Sequence, residues 1–372
     1  MNIIKYNKFI NYLLVILSIF ASLLLIELYL TIFYYNTSLN KVSGIIKYSK
    51  ESKLEVISNY NKKNNAEMIS LTTPRMIIDK KKNYFTNLHP FSSISFSETL
   101  NCNENGYWSK NNLDRYGFNN PDKNWDESLI DILLVGDSAG FGYCVDEKQS
   151  ISGILRENKN LKVLNISMGG NGPLHNLGSL IEFAKIINVK NIIWIHNERN
   201  DIKDLNYELN FPILLKYLNH TNFSQNLPKK QTHVNNLIFK YYNQSLLLKQ
   251  NHKNHKYVYL RHFIRLIKLN NFRAFINDNF FEKINKRKKT FDLEKIFSKV
   301  KDVSKKNDAK LFFVYLPEIE RYTNRNYSND NYDYIVKILK KQNINLSNLH
   351  LDLMEKIDDP VSLFPLRRRV YF

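Results

Sequence analysis

Cysteine, histidine and glycine are scarce in this chain, which has two, nine and eleven of them in 372 residues. Each scarcity removes a class of function. Two cysteines are too few for a cysteine-ligated zinc module or a disulfide-framework protein, and no His/Asp/Glu group has metal-ligand spacing. Gly136 and Gly140-Phe141-Gly142 make neither a phosphate loop nor a dinucleotide fingerprint, so no cofactor is expected. Acidic residues are also in deficit, 35 against 54 Lys and Arg, for a formal net charge of +19. That charge invites a nucleic-acid reading, but no helix-turn-helix, zinc-finger or RNA-binding motif accompanies it. Lysine, asparagine and isoleucine are abundant throughout, which is a compositional bias and not one selected patch; no nucleic-acid partner is expected. Basic residues crowd between Lys249 and Lys310, most sharply at Lys286-Arg287-Lys288-Lys289. A solvated helix face is the plain reading there, and contact with anionic headgroups or an acidic polysaccharide is the alternative.

What is present begins with apolar residues, 43% of the chain, enough for a full core. From Phe9 to Tyr35 the sequence is almost wholly apolar, as in Leu13-Leu14-Val15-Ile16-Leu17 and Leu23-Leu24-Leu25-Ile26. A run of about 20 such residues crosses the hydrocarbon of a bilayer. No small-residue cleavage site follows; the run closes on Ile32-Phe33-Tyr34-Tyr35, aromatic residues suited to the membrane interface. Residues 1–35 therefore read as an uncleaved transmembrane anchor. Glu27 inside it needs a partner or a route to the interface. Lysines flank both ends, so charge does not fix the orientation. Cys102 and Cys144 lie in the remaining part, and an even pair suggests a disulfide and an extracytoplasmic location, periplasmic or cell surface, with two free thiols as the alternative.

Residues 36–83 are polar and lysine-rich and read as a stalk. Residues 84–372 read as one α/β domain. Its strands are the uninterrupted apolar runs Asp131–Val135, Lys162–Ile166, Asn191–Ile195 and Lys310–Leu316, with His350-Leu351-Asp352-Leu353 as a short fifth. Helical spacing lies between them, near 150–157, 174–187, 293–305 and 332–341. More than a hundred residues separate the third and fourth strands, and the helical pattern within about 205–290 reads as an inserted cap or lid.

Three segments follow strand ends in order: Gly136-Asp137-Ser138, then Asn165-Ile166-Ser167-Met168-Gly169-Gly170-Asn171-Gly172-Pro173, then Glu198-Arg199-Asn200-Asp201. All three would meet at the carboxyl edge of a parallel sheet, where such folds bind ligands. Together they resemble blocks one, two and three of the SGNH (GDSL-type) hydrolases. Asn-Gly-Pro-Leu-His at 171–175 and Pro-Ile-Leu-Leu-Lys-Tyr-Leu at 212–218 resemble bacterial membrane-anchored members. The resemblance implies a flavodoxin-like three-layer α/β/α fold with a parallel sheet. It implies a serine ester hydrolase or O-acyltransferase acting on acyl esters of glycans or lipids, with Ser138 as nucleophile. Gly170 and Asn200 would complete the oxyanion hole with the Ser138 amide, since donors must converge where the charge develops.

Two departures qualify the resemblance. Relatives often carry glycine where Glu198 or Arg199 stands, and bulk there narrows the site. A serine also needs a base, which the family supplies from a His-bearing block after the last strand. Here no histidine follows His350; a histidine motif is expected just beyond Arg367-Arg368-Arg369-Val370-Tyr371-Phe372. A truncated or non-catalytic domain that binds a glycan or a protein is the alternative. His196 and His175 are the two histidines near enough in sequence to the three segments to be weighed as replacements, though a rim or helix-terminus role suits each better.

Overall fold

A computed structural model describes residues 2–34, 52–77, 88–103, 106–251, 263–276, 282–324, 327–364 and 367. The chain divides into two compact units, Met1–Lys47 with Gln244–Arg287, and Tyr48–Asn243 with Lys288–Phe372.

The first unit is built on the helix Asn2–Tyr29, which continues as a π-helical turn Leu30–Tyr34. Phe9–Ile32 is one helical stretch long and apolar enough to cross a membrane, and most of its side chains are exposed. A second helix of this unit, Asn270–Ile276, packs beside it.

The second unit holds two sheets. In the smaller, β1 (Ile69–Ser70) runs parallel to β2 (Glu98–Leu100), which pairs antiparallel with β3 (Lys110–Asn112). The larger comprises β4 (Ile130–Val135), β5 (Val163–Asn165), β6 (Val189–Asn197), β7 (Lys310–Leu316) and β8 (Asn345–Asn348), all parallel, in the order β5-β4-β6-β7-β8. The central strand β4 is apolar because both its faces are covered: Leu133, Leu134 and Val135 are all buried although successive side chains point to opposite faces. Chain order reverses beside β4, so the connections after β4 and β6 leave in opposite directions and open a crevice at the carboxyl edge.

Four of the expected strands are present within a residue or two. The fifth is shifted: residues 349–352 form a helical turn, Leu349–Asp352, and the strand lies just before it at Asn345–Asn348. That strand pairs on one side only, through Phe312↔Asn345 to Tyr315↔Asn348, so it needs no continuous apolar run.

The stalk also needs correcting. Residues 53–77 are folded into the second unit. Ser52 and Glu55 form a capping box at the start of the helix Lys53–Asn64, and the Asn61 side chain brackets the Met68 backbone. Ile57, Met68, Leu71 and Ile77 are buried. The cap is likewise only partly separate. Leu214, Tyr217, Leu218, Leu227, Val234 and Ile238 join the main core with Leu293, Ile296, Phe297 and Val300, because the helices there are amphipathic and turn their apolar stripes inward. The cluster at 286–289 falls on the helix Glu282–Lys306, and its side chains lie outside the described residues. Cys102 and Cys144 are joined in a disulfide, with Cα atoms 5.0 Å apart.

Candidate active site

Ser138 opens a single helical turn, Ser138–Phe141, directly after β4. Asp137 caps that turn, its Oδ1 accepting the Ala139 N–H at 3.0 Å. The turn is tight because Gly140 lies against the next loop, where an added Cβ would stand 2.4 Å from Ser167 Oγ. Ser138 remains 9% exposed and faces a cavity of about 330 Å³. Asn197, Arg199 and Asn200 reach the same cavity from the end of β6, and Leu316, Ile319, Met354, Leu363 and Phe364 give it an apolar wall.

The sheet edge thus brings Ser138 and Asn200 into one cavity, as their positions after β4 and β6 imply. Gly170 sits in the loop after β5 with φ +82°, a conformation glycine adopts without strain, and an added Cβ would meet the Arg75 side chain at 2.8 Å. Gly170 is not among the residues lining the cavity. Asn200 Nδ2 donates to Asp137 Oδ2 at 3.1 Å and to Asp204 Oδ2 at 3.0 Å, while Asn197 Nδ2 reaches Asp137 Oδ2 at 3.2 Å. Asn200 is therefore held by two carboxyl groups, with its amide at the cavity wall.

Those carboxyl groups are strongly perturbed. Burial, reinforced by Asp201, pushes the Asp137 carboxyl up to about 7 against the donors Asn200, Ala139 and Asn197. Burial also raises Asp204, to about 6, opposed by Arg75, whose Nη2 lies 3.1 Å away. Asp201 is raised well above its ordinary value, by burial first and then by Asp204. Glu208 accepts the backbone N–H groups of Gly172 at 2.5 Å and Leu174 at 2.8 Å, and it pairs with His175 Nδ1. Asp201, Asp204 and Glu208 were not anticipated as site-supporting residues. Their spacing of i, i+3 and i+7 on the helix Asp201–Glu208 was the available signal, because it sets all three on one face.

The two bulky residues that follow β6, Glu198 and Arg199, take separate paths. Glu198 turns away to a buried pair with Arg321, and Glu198 Oε2 accepts the Glu318 N–H at 3.1 Å. Burial works to raise its carboxyl, but Arg321 foremost among its partners holds it below the usual value. Arg199 instead lines the cavity.

Neither weighed histidine reaches the serine's cavity. His196 is fully buried beside Asp201, 2.9 Å from Oδ2, and stacks on Phe313 and Tyr315; burial lowers it to about 4, leaving the ring neutral. His175 is buried between Glu208 and His89, whose Nε2 lies 2.7 Å from its own Nε2. His350 bonds the Tyr322 hydroxyl at 3.0 Å. Among the described residues, no histidine lines the cavity. The Ser138 hydroxyl instead faces Asp137 Oδ2 at 3.4 Å, long for an O–H···O bond.

No protein-family model matches the sequence, and no curated protein matches it.

Proposed function

We propose that this chain is a membrane-anchored SGNH-type serine ester hydrolase or O-acyltransferase with its main domain outside the cytoplasm. The observation that carries the reading is the joint placement of Ser138 and Asn200 in one apolar-walled cavity at the carboxyl edge of a parallel sheet. The strand order, renumbered within the large sheet, is 2-1-3-4-5, which supports a flavodoxin-like arrangement. The anchor reading draws on the apolar helix Phe9–Ile32, and the extracytoplasmic reading on the disulfide.

In this mechanism Ser138 Oγ attacks the ester carbonyl carbon, its proton passes to a base and from there to the leaving oxygen, and the ester C–O bond breaks to release the alcohol. The tetrahedral oxyanion is met by the Ser138 amide and by Asn200 Nδ2, which exchanges one of its carboxyl partners for the new charge; Gly170, off the cavity wall, is the third donor that the resemblance implies. Water or a sugar hydroxyl then takes the acyl group. The apolar wall of Leu316, Ile319, Met354 and Phe364 suits the acyl chain. In the family the base comes from the segment after the last strand. Here that segment, through Leu363 and Phe364, lines the cavity of Ser138.

A second reading is a domain that binds an acyl ester or glycan without turnover, and the long Ser138–Asp137 contact with no histidine among the lining residues favours it. Turnover of a panel of short-chain esters by wild type and by Ser138→Ala separates the two. Loss of activity in the variant supports the hydrolase, and equal rates with retained ligand binding support the binding domain.

A further inference from the structure

Within the Lys- and Arg-rich part of the chain, residues 263–276 belong to the same unit as the apolar helix Phe9–Ile32. Its sequence, Phe263-Ile264-Arg265-Leu266-Ile267-Lys268-Leu269-Asn270-Asn271-Phe272-Arg273-Ala274-Phe275-Ile276, has no acidic residue. Phe263, Ile264 and Ile267 are 60%, 41% and 44% exposed, and Arg265, Lys268 and Arg273 are exposed among them. Such a mixture of uncovered apolar and cationic side chains fits the boundary between acyl chains and anionic headgroups.

The stretch is tied to the apolar helix through Glu27. The chain kinks at Leu269, φ 49°, and restarts as the helix Asn270–Ile276, whose first N–H groups have no intrahelical acceptor. Leu269 has no polar side chain to cap them. Glu27 supplies both acceptors: Oε1 takes the Asn271 N–H at 2.9 Å and Oε2 the Phe272 N–H at 2.7 Å. Asn271 Nδ2 adds a bond to Thr31 Oγ1 at 2.8 Å. Glu27, which would be costly bare in an apolar helix, is only 1% exposed.

Depth follows from this contact. Glu27 precedes the end of the apolar run, Ile32, by five residues, so it lies about 7.5 Å inside that end at ~1.5 Å per residue. Amphipathic segments lying on a bilayer sink roughly 5–10 Å into the headgroup boundary, the same level. We infer that residues 263–276 lie in the headgroup layer of an anionic bilayer, pinned to the transmembrane helix by the Glu27 carboxylate. This rests on the reading of residues 9–32 as the anchor. The segment gives the protein a second hold on the membrane, set by lipid charge.

The test uses the full chain in lipid nanodiscs, with an environment-sensitive fluorophore on Phe263→Cys or Ile267→Cys and, as a reference, on the exposed Lys159→Cys of the other unit. Brominated lipid is expected to quench positions 263 and 267 several-fold more than 159 in phosphatidylglycerol-containing discs, and less in purely zwitterionic ones. Glu27→Leu, which keeps the anchor apolar, is expected to reduce that quenching. Quenching at 263 and 267 no greater than at 159, in a chain that still resists carbonate extraction, overturns the inference and leaves the anchor standing. Release by carbonate overturns the anchor itself. Shielding of 263 and 267 that persists in detergent and grows with protein concentration assigns the face to a second copy and also overturns the inference.

Discussion

Replacing Glu208 with alanine probes how the acidic helix face supports the proposed oxyanion loop. Glu208 is fully buried and receives two backbone N–H groups, from Gly172 and Leu174, together with His175 Nδ1. Those two amides sit where the loop containing Gly170 turns into the helix Pro173–Phe183, so they have few alternative partners. Each buried donor left unpaired costs about 1–3 kcal/mol. Removing one member of a buried hydrogen-bonded pair typically costs ~3–5 kcal/mol in total. Glu208→Ala is therefore expected to lower unfolding stability by about 3–5 kcal/mol. Glu208→Gln is expected to be damaging too, because its NH2 group opposes one of the donors that a carboxylate oxygen satisfies. Urea unfolding in detergent micelles, read as a shift in midpoint at constant slope, measures the loss. A Glu208→Ala variant within about 1 kcal/mol of wild type would refute the claim that this carboxylate holds the loop. If the Gly170 amide carried by that loop meets only the developing charge, as the proposed mechanism requires, ester turnover by the same variant should fall through kcat.

Reducing the disulfide, or Cys102→Ser with Cys144→Ser, opens a 42-residue separation and is expected to cost about 4 kcal/mol on chain-entropy grounds, read by urea unfolding with and without reductant. Asp137 carries a folded-state pKa of about 7 against an ordinary 3.8, so the native protein holds a proton that the unfolded chain releases. Stability should thus fall as pH rises from about 4 to about 7 and flatten above that, and Asp137→Asn should shallow the slope. An unchanged pH–stability profile in that variant would count against a buried carboxyl there. Met354→Ala and Phe364→Ala cut back the apolar wall and so enlarge the cavity, and are expected to shift the ester preference toward longer acyl chains, seen as the ratio of kcat/KM across a chain-length series.

Local pattern made most of the large sheet legible. The runs ending at Val135, Ile195 and Leu316 were visible as continuous apolar stretches; β4 is buried on both faces, while β7 buries Phe313 and Tyr315 on one face and half-buries Phe312, Val314 and Leu316 on the other. Asn345-Leu346-Ser347-Asn348 was hidden because an edge strand does not need the run, and the more apolar residues just after it form a helical turn instead. Residues 53–77 looked like part of a stalk because the stretch 36–83 that contains them is polar and lysine-rich. Their order comes from specific bonds, Ser52 with Glu55 and Asn61 with Met68, and from a few apolar contacts that composition averages away. In the site, Ser138 and Asn200 were legible from their places after strands. The carboxyl network beneath them was not, since Asp137, Asp204 and Glu208 acquire their partners only when the helix after β6 folds over the loop after β5.

Whether Ser138 becomes acylated tests the proposed chemistry most directly. The full chain, incubated with an activated short-chain ester and quenched in acid, should gain the mass of one acyl group, and peptide mapping should place it on Ser138. Ser138→Ala should gain none. A wild-type chain that binds the ester in its cavity yet carries no adduct on Ser138, or an adduct that survives in Ser138→Ala, would contradict Ser138 as the nucleophile.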